Sequence, residues 1–304
     1  MRNFLYIFLL LFLIACHSVS AQPYNYRCKY PSVIIGGVGS YANGDIKSSL
    51  VTIRPGLSLG FNKRIYPRLS YEFDFLWFRL LGDDYLSSDK KLESDNYLRN
   101  LHFRNDIKEL SFTIRYDLLP NTDHYRKRPI YNAYVLLGGG VFYHNPMAKN
   151  DAGSWINLRK LETEGKSYSN IQFSIPAGLG FRYKLAIQWD LELEFTYRYT
   201  STDYLDDVSG RYINPDLLKS DQSRQMSNRS ASLVGSYNGG KRDIEFINNT
   251  LEEQFVNLGS GYSYSTSKAP GSKRGSKGGP DSYALVSLRL IYIIPGKIYC
   301  PKFR

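Results

Sequence analysis

In four separate stretches apolar and polar side chains alternate one for one, a period that suits an extended strand with two unlike faces. From Leu69, the residues Tyr71, Phe73, Phe75 and Trp77 share a face opposite Ser70, Glu72 and Asp74. Leu110, Phe112, Ile114 and Tyr116 oppose Ser111, Thr113 and Arg115. Phe173, Ile175, Ala177, Leu179, Phe181 and Tyr183 oppose Gln172, Ser174, Gly178 and Arg182. Leu191, Leu193, Phe195, Tyr197 and Tyr199 oppose Asp190, Glu192, Glu194, Thr196 and Arg198. Weaker runs near 32–41, 55–63, 131–143 and 283–294 bring the expected strands to eight.

A sandwich and a barrel would both alternate in this way, so the connections must discriminate. Short turns fall at 63–67 and 185–187, with a moderate segment at 120–129. The other connections are longer, over about 42–53, 81–107, 144–170 and 200–281. Long and short alternate strictly, which puts every long loop at one end of the strand array. That asymmetry predicts an all-β fold: an eight-stranded antiparallel up-and-down transmembrane β-barrel with short periplasmic turns and long extracellular loops. Aromatic residues supply a second sign. Tyr116, Tyr183 and Trp189 fall at one end of the apolar faces and Trp77, Tyr197 and Tyr199 at the other, as interfacial girdles would. The mean hydropathy of -0.37 excludes a helical membrane bundle, yet polar lumen residues and long loops account for it.

The N-terminus reads as an export leader. Met1 and Arg2 precede the apolar run Phe4–Ala15, and Val19 and Ala21 take the small-residue positions before a cut at Gln22. The expected organisation is a signal peptide at 1–21 and a single barrel domain at 22–304, with about 215–280 as a long flexible extracellular loop. A rival reading stays open, because Leu13-Ile14-Ala15-Cys16 resembles a lipobox that would lipidate Cys16. After cleavage at Ala21 the cysteines left are Cys28 and Cys300, just outside the first and last strands. Barrel closure would make them neighbours in an oxidising compartment, so they are the candidate disulfide.

An eight-stranded barrel is only wide enough for its own side chains, so inward charges must compensate one another. Strand adjacency predicts Glu72 and Asp74 near Arg115, Asp190 and Glu192 near Arg182, and Glu194 near Arg289. A lumen filled by these groups is expected to conduct nothing. The +11 net charge sits mostly in loops and tails, including Arg126-Lys127-Arg128, with no aromatic platform or recognition helix. Outer-membrane lipid is therefore the expected partner of this charge, and nucleic acid is not. Segment 215–280 is rich in Ser, Asn, Gly and Lys/Arg, the composition of a flexible linker. Asp203, Asp206 and Asp207 could gather Ca²⁺ but lack the EF-hand spacing, so no metal or other cofactor is expected. His102 and His144 could approach Asp83 or Asp84 at the loop end, a weak basis for a rim hydrolase. Gly138-Gly139-Gly140 lacks the Lys of a phosphate loop and fits close strand packing.

Several segments together resemble a known family. They are Arg99-Asn100-Leu101-His102-Phe103-Arg104-Asn105-Asp106, Glu109-Leu110-Ser111, Gln172-Phe173-Ser174-Ile175-Pro176, Gly178-Leu179-Gly180 and Thr202-Asp203-Tyr204-Leu205-Asp206-Asp207-Val208-Ser209-Gly210. They resemble the PorG-like outer-membrane β-barrel family of Bacteroidota, a domain of unknown function associated in some members with type IX secretion. Asp203, Tyr204, Asp206, Asp207 and Gly210 form the family-like loop motif. The resemblance implies an integral outer-membrane protein of the bacterial cell, with periplasmic or outer-membrane secretion-machinery proteins as candidate partners. The expected function is a non-enzymatic envelope anchor or docking component. A surface-binding module acting on glycan, peptide or a host surface through loop 200–281 is the alternative.

Overall fold

The computed structural model describes residues 29–86, 90–235, 237–257, 262–275 and 278–295. The expected leader with Cys16, and the candidate disulfide Cys28–Cys300, lie outside them. The chain forms strands β1 (Pro31–Asn43), β2 (Arg54–Arg64), β3 (Leu69–Asp83), β4 (His102–Asp117) and β5 (Tyr131–Tyr143). After two short strands, β6 (Pro146–Lys149) and β7 (Trp155–Asn157), come β8 (Ile171–Lys184) and β9 (Trp189–Thr200). A small hairpin of β10 (Phe255–Asn257) and β11 (Ser263–Ser265) precedes β12 (Ser282–Ile293).

Eight of these strands close a barrel in the order β1-β2-β3-β4-β5-β8-β9-β12, with β12 returning to β1. Every pairing is antiparallel, from Pro31–Lys63 on one side of β1 to Ser32–Ile293 on the other. The fold is thus the predicted closed all-β up-and-down barrel. Short β2–β3 and β8–β9 turns share one end with the start of β1 and the close of β12. At that end Leu69 accepts from Ile65 and Tyr66, and Trp189 from Leu185 and Ala186. The four long connections gather at the other end, where β6 and β7 extend the sheet from β4.

The alternation does physical work on both faces. Outward residues remain uncovered: Leu110 is 62% exposed and Phe173 is 65% exposed. Such a belt needs a non-aqueous surround, because burying one such side chain is worth about 1.5–3 kcal/mol. The rise from Leu69 to Trp77 is roughly 26 Å along the strand at ~3.3 Å per residue. Tilted by ~40°, this is about 20 Å of height, close to the ~25 Å band of membrane barrels. Tyr131 faces Tyr183 and Trp189 faces Tyr292 across their ladders at the turn end. Trp77, Tyr143 and Tyr199 mark the loop end.

Inward residues change character along the axis. The middle is charged, but toward the loop end Val38, Leu76, Phe78, Leu80, Ile107, Phe142 and Leu285 form an apolar cluster. Leu205 and Val208 of the β9–β12 connection complete this cluster. An inward apolar group there would be unfavourable in an open mouth and is favourable under a lid.

That connection corrects the reading of 215–280 as a flexible loop. Its described residues include β10, β11 and two helices, Asp221–Ser227 and Ile244–Thr250. Met226 packs with Ala148 and Leu158, and Ile247 with Tyr97 and Leu98, each group buried. The stem is closed by an Arg211–Lys273 bridge. Linker-like composition was misleading because few, widely spaced apolar anchors and side-chain-to-carbonyl bonds hold this cap.

Candidate functional site

Two arginines organise the lumen. Arg115, from β4, donates to Glu72 on β3, to Glu192 at 3.2 Å and to Glu194 at 2.7 Å on β9. Arg289, from β12, meets Glu72 at 3.0 Å and Asp74 at 3.4 Å, and also bonds Glu192 and Glu194. Arg182 reaches Glu192 at 3.0 Å and Asp117 at 3.5 Å. Tyr134 donates to Glu194 at 2.7 Å. Arg115, Glu72 and Glu192 are fully buried. The structure therefore brings Glu72, Asp74, Arg115, Arg182, Glu192, Glu194 and Arg289 into one connected network.

Two expected pairings are different. Asp74 is bonded by Arg289 rather than Arg115, whose guanidinium is taken up by Glu72 and, across the lumen, by Glu192 and Glu194 of β9. Asp190 is bonded by Arg128 at 3.0 Å, not by Arg182. Arg128 also donates to the carbonyls of Ala186, Ile187 and Trp189, and so plugs the turn end. It is buried, unlike Lys127. Room for these large groups comes from glycine. A Cβ on Gly180 would stand 2.3 Å from the Tyr134 ring, and one on Gly36 would stand 2.6 Å from Cγ of Arg289.

At the loop end the family-like motif is a keystone rather than a cation site. Asp203 accepts from Ser209 at 2.7 Å. Tyr204 stacks on Tyr168, with centroids 4.7 Å apart and planes 8° apart. Asp206 accepts from the backbone of Ile46 at 2.8 Å and of Val208 at 3.0 Å. Asp207 accepts from Thr163 at 2.5 Å and Tyr168 at 2.7 Å. Gly210 donates its amide to Glu164 at 3.1 Å. The motif thus ties the β1–β2 and β5–β8 connections to the β9–β12 connection. Among the described residues no three potential ligands converge on a metal position. Burial and the nearby Asp45 push the Asp206 carboxyl up to about 7. Burial raises Asp207 to about 6 against the pull of Arg274, and raises Asp281 well above the usual carboxylate range.

Sequence reasoning missed the cap's own hubs. Arg99 binds Asp84 through 2.7 and 2.8 Å bonds and donates to the carbonyls of Asp45 and Arg274. Arg274 donates to Glu164 at 3.0 Å and to the carbonyls of Asp207 and Ser227. Arg242 donates to the carbonyls of Ser230, Ser232, Tyr97 and Leu98. The available signal was weak: Arg99 and Asp207 lie in the motif segments, but nothing in a Ser- and Gly-rich stretch marks Arg242 or Arg274 as buried.

The β3–β4 register sets Asp83 opposite His102, but among the described residues no hydrogen bond joins either histidine to Asp83 or Asp84. His102 accepts from the Lys149 amide at 2.8 Å, and Nε2 of His144 lies 2.9 Å from the Ser169 carbonyl. Burial pushes His144 down to about 4. Of the two candidate acids, Asp84 is bound by Arg99 and Asp83 accepts from the Tyr85 amide at 3.1 Å. What the cap does offer is an open groove of about 590 Å³ lined by Asp151, Gln222, Gln225, Asn228, Ser232 and Tyr262, among others. Its floor is tied together by Asp151, which accepts from Arg229 at 2.8 Å, Gln225 at 2.9 Å and Ser232 at 2.9 Å.

Residues 2–224, well over half of the chain, match a domain of unknown function, DUF6089. The chain belongs to that family. No curated protein matches it. Solved structures similar to it include Ail, the attachment invasion locus protein of Yersinia pestis, in complex with the heparin analogue sucrose octasulfate. That likeness is 10% identical, with a TM-score of 0.37, and covers 88% of this chain and 99% of that one. Neisserial surface protein A is 11% identical with a TM-score of 0.37, covering 86% and 96%. The outer membrane protease OmpT from Escherichia coli is 11% identical with a TM-score of 0.32, covering 88% and 98%.

Proposed function

We propose that this member of the DUF6089 family is a non-enzymatic integral outer-membrane protein: a sealed anchor that presents its folded cap as a binding surface. The carrying observation is the union of an exposed apolar belt with a lumen whose charges neutralise one another. The belt calls for lipid. The filled lumen leaves no aqueous path, so the barrel itself serves to hold something in place. What it holds is the cap, which is knitted from all four long connections and carries the Asp151 groove on its surface. Among the described residues His102 and His144 hydrogen-bond Asn105, the Lys149 amide and the Ser169 carbonyl rather than a carboxylate, which favours a structural role for both.

The likeness to PorG-like proteins supports a second reading, docking of type IX secretion-machinery proteins from the periplasmic side. Arg126 and Lys127 are exposed there and could meet such a partner, whereas Arg128 is committed to Asp190.

Excision of 213–270 tests both, since Arg211 and Lys273 already stand side by side. The shortened chain is expected in the outer-membrane fraction, with heat-modifiable gel mobility and no conductance in planar bilayers. It is also expected to lose the partner captured by the full chain from solubilised membranes. Retention of that partner, with loss only on joint Arg126→Ala and Lys127→Ala substitution, would favour periplasmic docking. Recovery of the full chain in the soluble fraction would remove the membrane reading altogether.

A further inference from the structure

A groove of about 350 Å³ opens on the outer wall of the barrel at the loop end of the apolar belt, lined by Arg54, Pro55, Leu57, Trp77, Arg79 and Asp106, among others. The β2–β3 ladder stops at Leu57–Trp77. Beyond that pair β2 continues to Arg54 against β1 alone, while β3 continues to Asp83 against β4. The seam between them is a pit in the wall and does not reach the lumen. Ser40 closes it from inside, with its hydroxyl 3.1 Å from the Arg54 carbonyl and 2.5 Å from the Arg79 carbonyl.

The pit is apolar toward the belt and cationic above it. The β3–β4 register sets Arg79 beside Asp106, Trp77 beside Lys108 and Leu81 beside Arg104. Arg79 bonds Asp106 at 2.5 and 3.2 Å, and Arg104 reaches the same carboxylate at 3.2 Å. Arg79 and Arg104 thus share one carboxylate, and Lys108, two residues along β4, and Arg54, across the pit, add two further cations to this face. Arg54 gives one nitrogen to the carbonyls of Val51 and Ile53, at 2.9 and 3.0 Å. Arg104 lies 4.5 Å from the Trp155 ring centroid, which adds a flat aromatic surface to the band. At the same height the outward residues of the other strands include Tyr41 on β1 and Tyr143 on β5, which flank the face, and Phe173 and Tyr199 beyond them, none of them a cation.

We infer that this face binds an outer-leaflet glycolipid that carries phosphate on a saccharide head, with its acyl chains against Leu57 and Trp77. The inference rests on the membrane reading above. Guanidinium groups suit phosphate because they offer paired donors in one plane. The band runs over β2, β3 and β4, and because β2 has already parted from β3 at this height, two strand spacings of ~4.8 Å set a lower bound of roughly 10 Å between Arg54 and Arg104. One phosphodiester headgroup cannot reach both. A disaccharide with a phosphate at each end can.

Native mass spectrometry of the full chain in detergent tests this, with diphosphoryl lipid A as probe. Dephosphorylated lipid A, phosphatidylglycerol and the acyl-free bisphosphorylated disaccharide serve as comparisons. Diphosphoryl lipid A should bind at one copy per chain, at least about tenfold tighter than each comparison. Arg54→Gln and Arg79→Gln should each weaken it roughly tenfold, the effect of losing a charge-assisted bond. Lys63→Gln and Arg68→Gln, outward-facing at the turn end, should leave it unchanged. If Arg79→Gln misfolds because Asp106 keeps Arg104 alone, Arg54→Gln carries the test, since among the described residues the Arg54 guanidinium bonds loop carbonyls and no acid. Equal binding of dephosphorylated lipid A, or tightness untouched by Arg54→Gln, would overturn the site and leave ordinary annular lipid. Either result in a chain that still fractionates with outer membrane would spare the membrane reading. A chain that does not partition into membrane would defeat that reading first.

Discussion

The lumen and the cap both bury arginine, and they satisfy it by different means. In the lumen Arg115 and Arg289 meet carboxylates from β3 and β9. In the cap, among the described residues, Arg242 donates to backbone carbonyls alone, and Arg274 combines a bond to Glu164 and a longer ion pair with Asp207 at 3.9 Å with two carbonyls. The sheet already pairs its own backbone, so lumen charges need only one another. An irregular cap leaves carbonyls unpaired, and a buried unpaired carbonyl is costly. Arginine with its five donors does for the cap what the ladder does for the barrel. The lumen should therefore fail as a unit, and the cap by local loosening.

Arg289→Met gives the largest expected effect. It would leave Glu72, Asp74, Glu192 and Glu194 with one shared partner fewer, and breaking a buried ion pair from one side costs about 3–5 kcal/mol. Urea unfolding in detergent micelles, followed by gel mobility, should show that loss as a whole-barrel shift. An unshifted midpoint would mean that Arg115 alone neutralises the lumen.

Arg274→Ala should cost about 2–3 kcal/mol, the scale of a hydrogen bond to a charged group, and only locally. Limited proteolysis should cut within 201–281 sooner while the barrel transition stays in place. A barrel transition that moved with it would break the division between the two regions.

Proton linkage sharpens the same division. Asp206 sits with Asp45 and Asp281 near Arg99, and its carboxyl is raised from 3.8 to about 7. A raised carboxyl favours the folded state while protonated, so this contribution is full below about pH 4. It is lost as pH rises through 7. Protection of the cap from protease should fall over that window, and Asp206→Asn should flatten the fall. Protection that rises with pH would contradict the sign.

How much of this was legible follows from the same physics. The strands and their inward charges could be read because a period of two fixes which face each residue takes. The partner of each charge could not, since Arg115 and Arg289 reach along the barrel axis as well as across it, and Asp190 is claimed by Arg128 from a connection. The inward turn to apolar residues at Leu76, Phe78 and Leu80 makes sense only once Leu205 and Val208 cover them. The cap was illegible because its contacts join distant residues, as when Arg242 bonds the Tyr97 carbonyl at 2.7 Å. Local composition carries no trace of such a bond.

The smallest predicted effect tests the two faces of one strand. Gly138 and Gly139 are adjacent on β5, at positions where the β5–β8 ladder lapses between Leu137–Ala177 and Gly140–Ser174. Pro176 stands in that gap and has no amide to donate. A Cβ on Gly138 would stand 2.0 Å from the Phe112 carbonyl oxygen, which belongs to the backbone and cannot swing aside. On Gly139 it would meet nothing within 4 Å. Gly138→Ala should therefore cost about 1–3 kcal/mol by overpacking, and Gly139→Ala should stay within about 0.5 kcal/mol of zero. The same urea titration reads both, and equal losses would show that these glycines serve chain flexibility rather than the closeness of β4 to β5.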